Sequence, residues 1–180
     1  MTENKLFECQ EMFRHACTFC ECADMALNKF QHDSADIGFY TSPAIVNSAF
    51  ACEVFMKTIV KYQGISLPKS HKLYDLYQEL SPELREWIKQ EVDGGYPDLW
   101  TTMWGKDYLE EVSNAFVEWR YSYEHDWSKS SIMHIELGFL NRFRDALREA
   151  CCRCLFAQTW ETYRGERNEK VQKKYNSYTQ

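Results

Sequence analysis

The sequence predicts an all-α protein, a single antiparallel helical bundle with a long C-terminal helix. Three observations lead there. Apolar residues recur at spacings of three and four along most of the 180 residues, the pattern of helices that bury one face. Strand-like alternation does not extend over any useful length. Apolar residues make up 44% of the chain, enough at this size for one core formed unaided. Residues 1–165 are expected to form that domain, and residues 166–180, which mix both charges with few apolar anchors, a charged tail that frays.

The first helix is marked by Cys9, Met12, Phe13, Ala16, Phe19, Cys20, Ala23, Leu27 and Phe30, a continuous stripe about six turns long. A polar connection follows from Gln31 to Thr41, and Ser42-Pro43 supplies an N-cap and a first-turn proline for a second helix. Its buried side is Ile45, Ala49, Cys52, Met56 and Ile59, with Phe55 and Val60 alongside, and Gly64 is placed to end it. Glu53 lies beside that apolar side. A carboxylate there needs a partner, which Arg120 or His71 can supply, unless Glu53 and Lys57 make an ordinary exposed pair at helical spacing.

A short helix from His71 to Leu80 and another opened by Ser81-Pro82, running through Trp87 and Ile88, form a predicted hairpin. The connection 94–105 is long and aromatic, with Tyr96, Trp100 and Trp104 either roofing the bundle or stacking on unpaired bases. Tyr108, Leu109, Val112, Ala115, Phe116, Trp119 and Tyr123 then lie on one helical face, with Arg120 at its margin. His134 stands near the start of the final helix, whose stripe is Leu140, Phe143, Leu147, Cys151, Cys154 and Leu155.

Composition narrows the function. No apolar run approaches the roughly 20 residues needed to cross a bilayer, and the first residues do not open a secretory signal, so a cytoplasmic protein without a membrane partner is expected. The eight cysteines sit in helical patterns, which favours reduced thiols. His15, Cys17, Cys20 and Cys22 do not make a metal site, because only Cys20 belongs to the stripe while Cys17 and Cys22 point elsewhere. Cys151, Cys152 and Cys154 are read as structural in the same way, and no metal or cofactor is expected. A net charge of −6 argues against a broad basic face, so any RNA contact is local.

The residues with most chemistry are Arg120 and His125. Arginine presents fixed donors to phosphate, and histidine titrates near neutrality, a combination suited to phosphodiesters. Five residues along an unbroken helix turn a side chain by roughly 140°, so the helix is expected to loosen near Glu124-His125-Asp126. Taken alone, the pair also fits a surface ion pair and a histidine at a helix end.

Taken in order, the chain has a helix with Glu53 and Lys57, then His71-Lys72-Leu73-Tyr74-Asp75-Leu76, then Arg120 and His125 separated by four residues. This order resembles the HEPN superfamily, over about Ser42 to His125. The resemblance implies a HEPN-like bundle, a catalytic role for Arg120 and His125, and scaffold positions for Glu53, Lys57 and His71, with Tyr121 and Glu124 beside the pair as supporting residues. It implies a metal-independent endoribonuclease of the toxin or antiphage-defence kind, with RNA as substrate, transfer RNA or single-stranded loops among its forms. Cleavage by the 2′-hydroxyl needs a base, an acid and positive charge. One Arg and one His leave a role open, which implies a homodimer with a composite site and leaves room for an antitoxin or other defence partner. Tyr121 stands where many members have asparagine, and Trp127 where some toxins have a modified tyrosine. The alternative is a non-catalytic module that binds RNA, nucleotide or a partner enzyme.

Overall fold

The computed structural model of the chain describes residues 2–32, 37–94, 106–121, 124 and 135–178. Among them every regular element is a helix: α1 (Glu3–His32), α2 (Ile37–Tyr62), α3 (Leu73–Gln78), α4 (Pro82–Asp93), α5 (Lys106–Ser113), α6 (Ala115–Arg120), α7 (Leu137–Phe156) and α8 (Trp160–Tyr178). The aromatic stretch 95–105, Tyr123, His125, Trp127 and His134 lie outside the described residues.

α2 is the central element, with α1, α3, α6 and α7 packed around it. It runs antiparallel to α1, since Phe13 meets Phe55, Phe19 meets Phe50 and Glu8 pairs with Lys61. Every residue in its predicted stripe is buried. Gly64 ends it at φ +86°, where the Ile65 amide reaches Val60 O and the Gly64 amide reaches Lys61 O, the paired bonds of a Schellman cap.

The start of α2 differs from expectation. The helix begins at Ile37 and carries Pro43 in its interior, where the ring deletes one backbone donor. Ala44 and Ile45, directly after the proline, are fully buried, so packing of the α1–α2 pair outweighs one lost bond. α2 also departs from the expectation that no segment suits a bilayer. Tyr40–Tyr62 is long and apolar enough by length and composition, with a mean hydropathy of 1.3, although 67% of that window is buried inside the fold, as in a core helix.

α3 is shorter than predicted and leaves His71 just ahead of it. Lys72 at its N-cap offers no side-chain acceptor, and the Tyr74 amide donates instead to Ser113 Oγ at 2.9 Å. α4 opens as expected, with Ser81 Oγ accepting from the Leu84 amide ahead of Pro82. The predicted hairpin does not form as a packed pair: α3 lies against α2 and α5, and α4 against α7. Their junction is held by Tyr77 Oη donating to Arg85 O at 2.8 Å.

The single helix expected before Arg120 is two. α5 stops at Ser113, whose hydroxyl is turned inward to serve Tyr74, and Asn114 adopts φ −98°, ψ 4°. Its carbonyl then receives the amides of Val117 and Glu118, which starts α6. The apolar stripe stays in phase across the break, with Leu109, Val112 and Ala115 all buried.

The long final helix is likewise divided. Leu140, Phe143, Leu147, Cys151 and Leu155 are buried as predicted, but Ala157 takes a left-handed conformation at φ 53° and closes α7. The next helix is anchored by the Trp160 amide donating to Glu149 Oε2 at 2.7 Å and by Tyr163 packed on Phe156. α8 continues through most of the predicted tail, to Tyr178, with little burial after Tyr163.

One buried cation ties the core together. Arg144, 3% exposed, pairs with Asp24 of α1 at 2.8 Å and Asp145 of α7 at 3.0 Å, and donates to Ser48 Oγ of α2 at 3.1 Å. Ser48 in turn donates to Asn141 Oδ1 at 3.2 Å.

Candidate functional site

The predicted site residues fall into two groups, one at the α2–α3 junction and one at the C-terminal end of α6. At the first, Glu53 is buried to 3% exposure. Its Oε1 accepts from Lys57 Nζ at 2.8 Å and from His71 Nδ1 at 2.9 Å. The ordinary exposed Glu53–Lys57 pair is therefore only part of the arrangement: the carboxylate is inside, and His71 shares it. Helical spacing brings Lys57 one turn along from Glu53, and the turn at Gly64 returns the chain so that His71 closes over the carboxylate. Arg120 is not its partner.

At the second group, Arg120 ends α6 with its guanidinium 4.7 Å from the Phe116 ring centroid and 4.5 Å from that of Tyr121. Nη2 donates to Tyr121 Oη at 3.0 Å. Phe116 itself stacks on Phe50 of α2 at 4.9 Å, so a chain of rings fixes the arginine from the core outward. Among the described residues Arg120 has no carboxylate partner. Tyr121 packs on the arginine and is 41% exposed. Glu124 is exposed, and its amide donates to Tyr121 O at 2.8 Å. His125 lies outside the described residues, so the Arg120–His125 relation stays an expectation.

An open groove of about 390 Å³ lies beside the first group, lined by Ser70, His71 and Lys72 ahead of α3 and by Asn114, Val117 and Glu118 at the start of α6. Arg120, one helical turn past Val117, is not among the residues that line it.

The cysteines belong to the core. All eight are free thiols, and Cys9, Cys17, Cys20, Cys52, Cys151 and Cys152 are buried. Cys17 was expected off the stripe and is instead 2% exposed, because α7 and α1 pack closely enough to cover a second column of residues. Burial raises the thiols of Cys20 and Cys152 to about 12 and those of Cys52 and Cys151 well above the ordinary range. Among the described residues no group of three His, Cys, Asp or Glu side chains could hold a metal ion.

Two groups escaped the sequence reading. Ser113 carries a cap for another helix, a role without local signature. Arg144 falls four residues after Leu140 and three before Leu147, on the apolar face, and a charge in phase with a core stripe was the signal available. No family model, curated protein or solved structure matches the chain.

Proposed function

We propose that the chain is a metal-independent endoribonuclease of HEPN type, a toxin or defence effector acting on RNA in the cytoplasm as a homodimer. The observation that carries the reading is Arg120: exposed, backed by Phe116 and Tyr121, and without a carboxylate partner among the described residues. An arginine held by ring faces keeps its charge available to phosphate oxygens. The ordered sequence of Glu53, Lys57, His71, Arg120 and His125 supports the same reading. In it Arg120 stabilises charge on the phosphate while His125 transfers protons between the 2′-hydroxyl, which attacks phosphorus, and the departing 5′-oxygen. The products are a 2′,3′-cyclic phosphate and a 5′-hydroxyl, and two protomers supply the second histidine.

A second reading, a non-catalytic module for RNA, nucleotide or a partner enzyme, is favoured by one contact. Tyr121 Oη occupies a guanidinium nitrogen of Arg120, at a position where the family often has asparagine.

Incubation of total and transfer RNA with the purified chain in EDTA separates the two. The expected result is cleavage with cyclic-phosphate ends, lost by at least about a hundredfold in Arg120→Ala and His125→Ala with the parent's oligomeric state retained in both. Intact RNA with the parent, or equal cleavage by the variants, rejects the ribonuclease in favour of the binding module.

A further inference from the structure

α8 leaves the bundle after its first turn. Trp160 and Tyr163 rest on Phe13 of α1, and Tyr163 also on Phe156 of α7, whereas every residue from Arg164 to Tyr175 is exposed. Local sequence does little to hold that stretch helical. Gly165 lies inside it although a Cβ there would meet nothing within 4 Å, so the helix bears the conformational freedom of a glycine that packing does not require. One pair at helical spacing, Lys173 with Glu169 at 4.0 Å, is too long and too solvated to compensate. Isolated helices of roughly 12–15 residues are marginal in water, and helices in proteins draw most of their stability from what packs along them. The free half of α8 therefore has the character of an element completed by a partner.

One face of it shows where the partner lies. Tyr163, Glu166, Arg167 and Lys170 follow one another at helical spacing, and with Arg14 of α1 and Phe156 they line an open notch of about 400 Å³ between α8 and the bundle. The floor is aromatic and the rim cationic. Arg14 is paired with Glu11, and Glu166 accepts from Gln158 Nε2 at 3.1 Å. Among the described residues neither Arg167 nor Lys170 makes an ion pair. The same face reaches Lys174 one turn further on, and Val171 on its flank is 61% exposed. α8 carries five Lys or Arg against three Glu in a chain whose net charge is −6, so this projection is basic while the body is acidic.

Charge and apolar surface together select the occupant. A second copy meeting this face with its own would bring like charges together. A phosphate strand would run against Glu166, which Gln158 fixes at the notch, and would leave Val171 uncovered. An amphipathic helix rich in carboxylates satisfies the whole surface: its acids meet Arg167, Lys170 and Lys174, and its apolar side covers Phe156, Tyr163 and Val171, the mode in which a helix fills a groove. We propose that the notch between α1 and α8, with the basic face of α8, docks an acidic amphipathic helix of a partner protein. None of these residues belongs to the Arg120 or the Glu53 group, so the surface stands with or without RNA cleavage.

The probe is a labelled synthetic peptide of about 18 residues, five helical turns, with leucines three and four apart and glutamates beside them. It is titrated into the full chain at low ionic strength and followed by fluorescence anisotropy, with a lysine-for-glutamate version of the peptide and an oligouridylate as comparisons. Arg167→Glu and Lys170→Glu are each expected to weaken binding roughly fivefold, the upper scale of one exposed ion pair, and Val171→Ser to weaken it as well. All three positions are exposed, so the fold should persist, which circular dichroism checks. Lys29→Glu makes the same change of charge on α1 roughly 22 Å from Arg14 and should leave affinity unaltered. Amide exchange across residues 164–175 should slow when the peptide binds, since a packed helix opens less often. Absence of binding by the acidic peptide, equal binding of its lysine version, or equal effects of Lys29→Glu and Lys170→Glu overturns the proposal. Oligouridylate binding lost in Arg167→Glu would assign the notch to nucleic acid instead, and a dimer dispersed by Arg167→Glu in sedimentation would assign it to a second copy; either result overturns the proposal too.

Discussion

Arg144 shows how a single charge is accommodated in this core. Its guanidinium is buried, but its partners Asp24 and Asp145 keep side chains 47% and 48% exposed, so the pair is anchored inside and solvated outside. Truncation to alanine removes a side chain that joins α1, α2 and α7 through polar contacts and opens a void. Arg144→Ala is expected to cost on the order of 3 kcal/mol in urea unfolding. Arg144→Met refills the space and leaves two carboxylates that still reach water, so it should recover more than half of that loss. Equal destabilisation by both variants would instead assign the effect to the ionic contacts. Glu53 is the contrasting case: its neighbours Lys57 and His71 cover it, and its second oxygen is left without a hydrogen bond.

At the scale of elements, the breaks between helices position the chemistry. Two of them use left-handed residues, one suited to the conformation and one not. Gly64 has φ +86°, and a Cβ built there would meet nothing nearer than Lys5 Nζ at 3.7 Å, so Gly64→Ala isolates the backbone cost, about 1 kcal/mol. Ala157 sits at φ 53° with the side chain that Gly64 lacks. Ala157→Gly is expected to raise stability by about 0.5–1 kcal/mol, relief of left-handed strain exceeding the added freedom of the unfolded chain. The two substitutions should move the thermal midpoint in opposite directions, and a shared sign would refute this account of the breaks. The third break, at Asn114, was invisible because the stripe on either side stays in register. Ser113 turned inward to cap α3, and nothing adjacent to it in sequence announces that role.

Across the whole molecule, the buried thiols make stability sensitive to alkali. Cys20 and Cys152 are raised from an ordinary 9.0 to about 12, and Cys52 and Cys151 well above it, each mainly by burial. A folded value above the unfolded one favours the native state while the thiol is neutral. That contribution is complete below pH 9 and is lost as pH rises toward the folded values, because the unfolded chain ionises first. Each such thiol steepens the loss by up to about 1.4 kcal/mol per pH unit. Denaturant midpoints measured under reducing conditions should therefore hold steady from neutrality to about pH 8 and fall beyond pH 9. A flat profile to pH 10 would mean that the thiols reach solvent in the native state.

The sequence by itself determined the helical class, the buried columns of α1, α2 and α7, the Gly64 stop and the Ser81-Pro82 start, because each depends on residues within a turn or two of one another. It also brought forward Glu53, Lys57, His71 and Arg120. Tertiary structure decided which of these meet. Glu53 could be offered Arg120, His71 or Lys57 on paper; helical spacing gave it Lys57 and the return of the chain after Gly64 gave it His71, while Arg120 rests on Phe116 and Tyr121. The start of α2 upstream of Pro43, the division of the last helix at Ala157 and the burial of Cys17 were likewise set at a distance. A local penalty at a proline or a left-handed alanine, or a polar position off the main stripe, is overruled when a neighbouring helix buries the residues beside it.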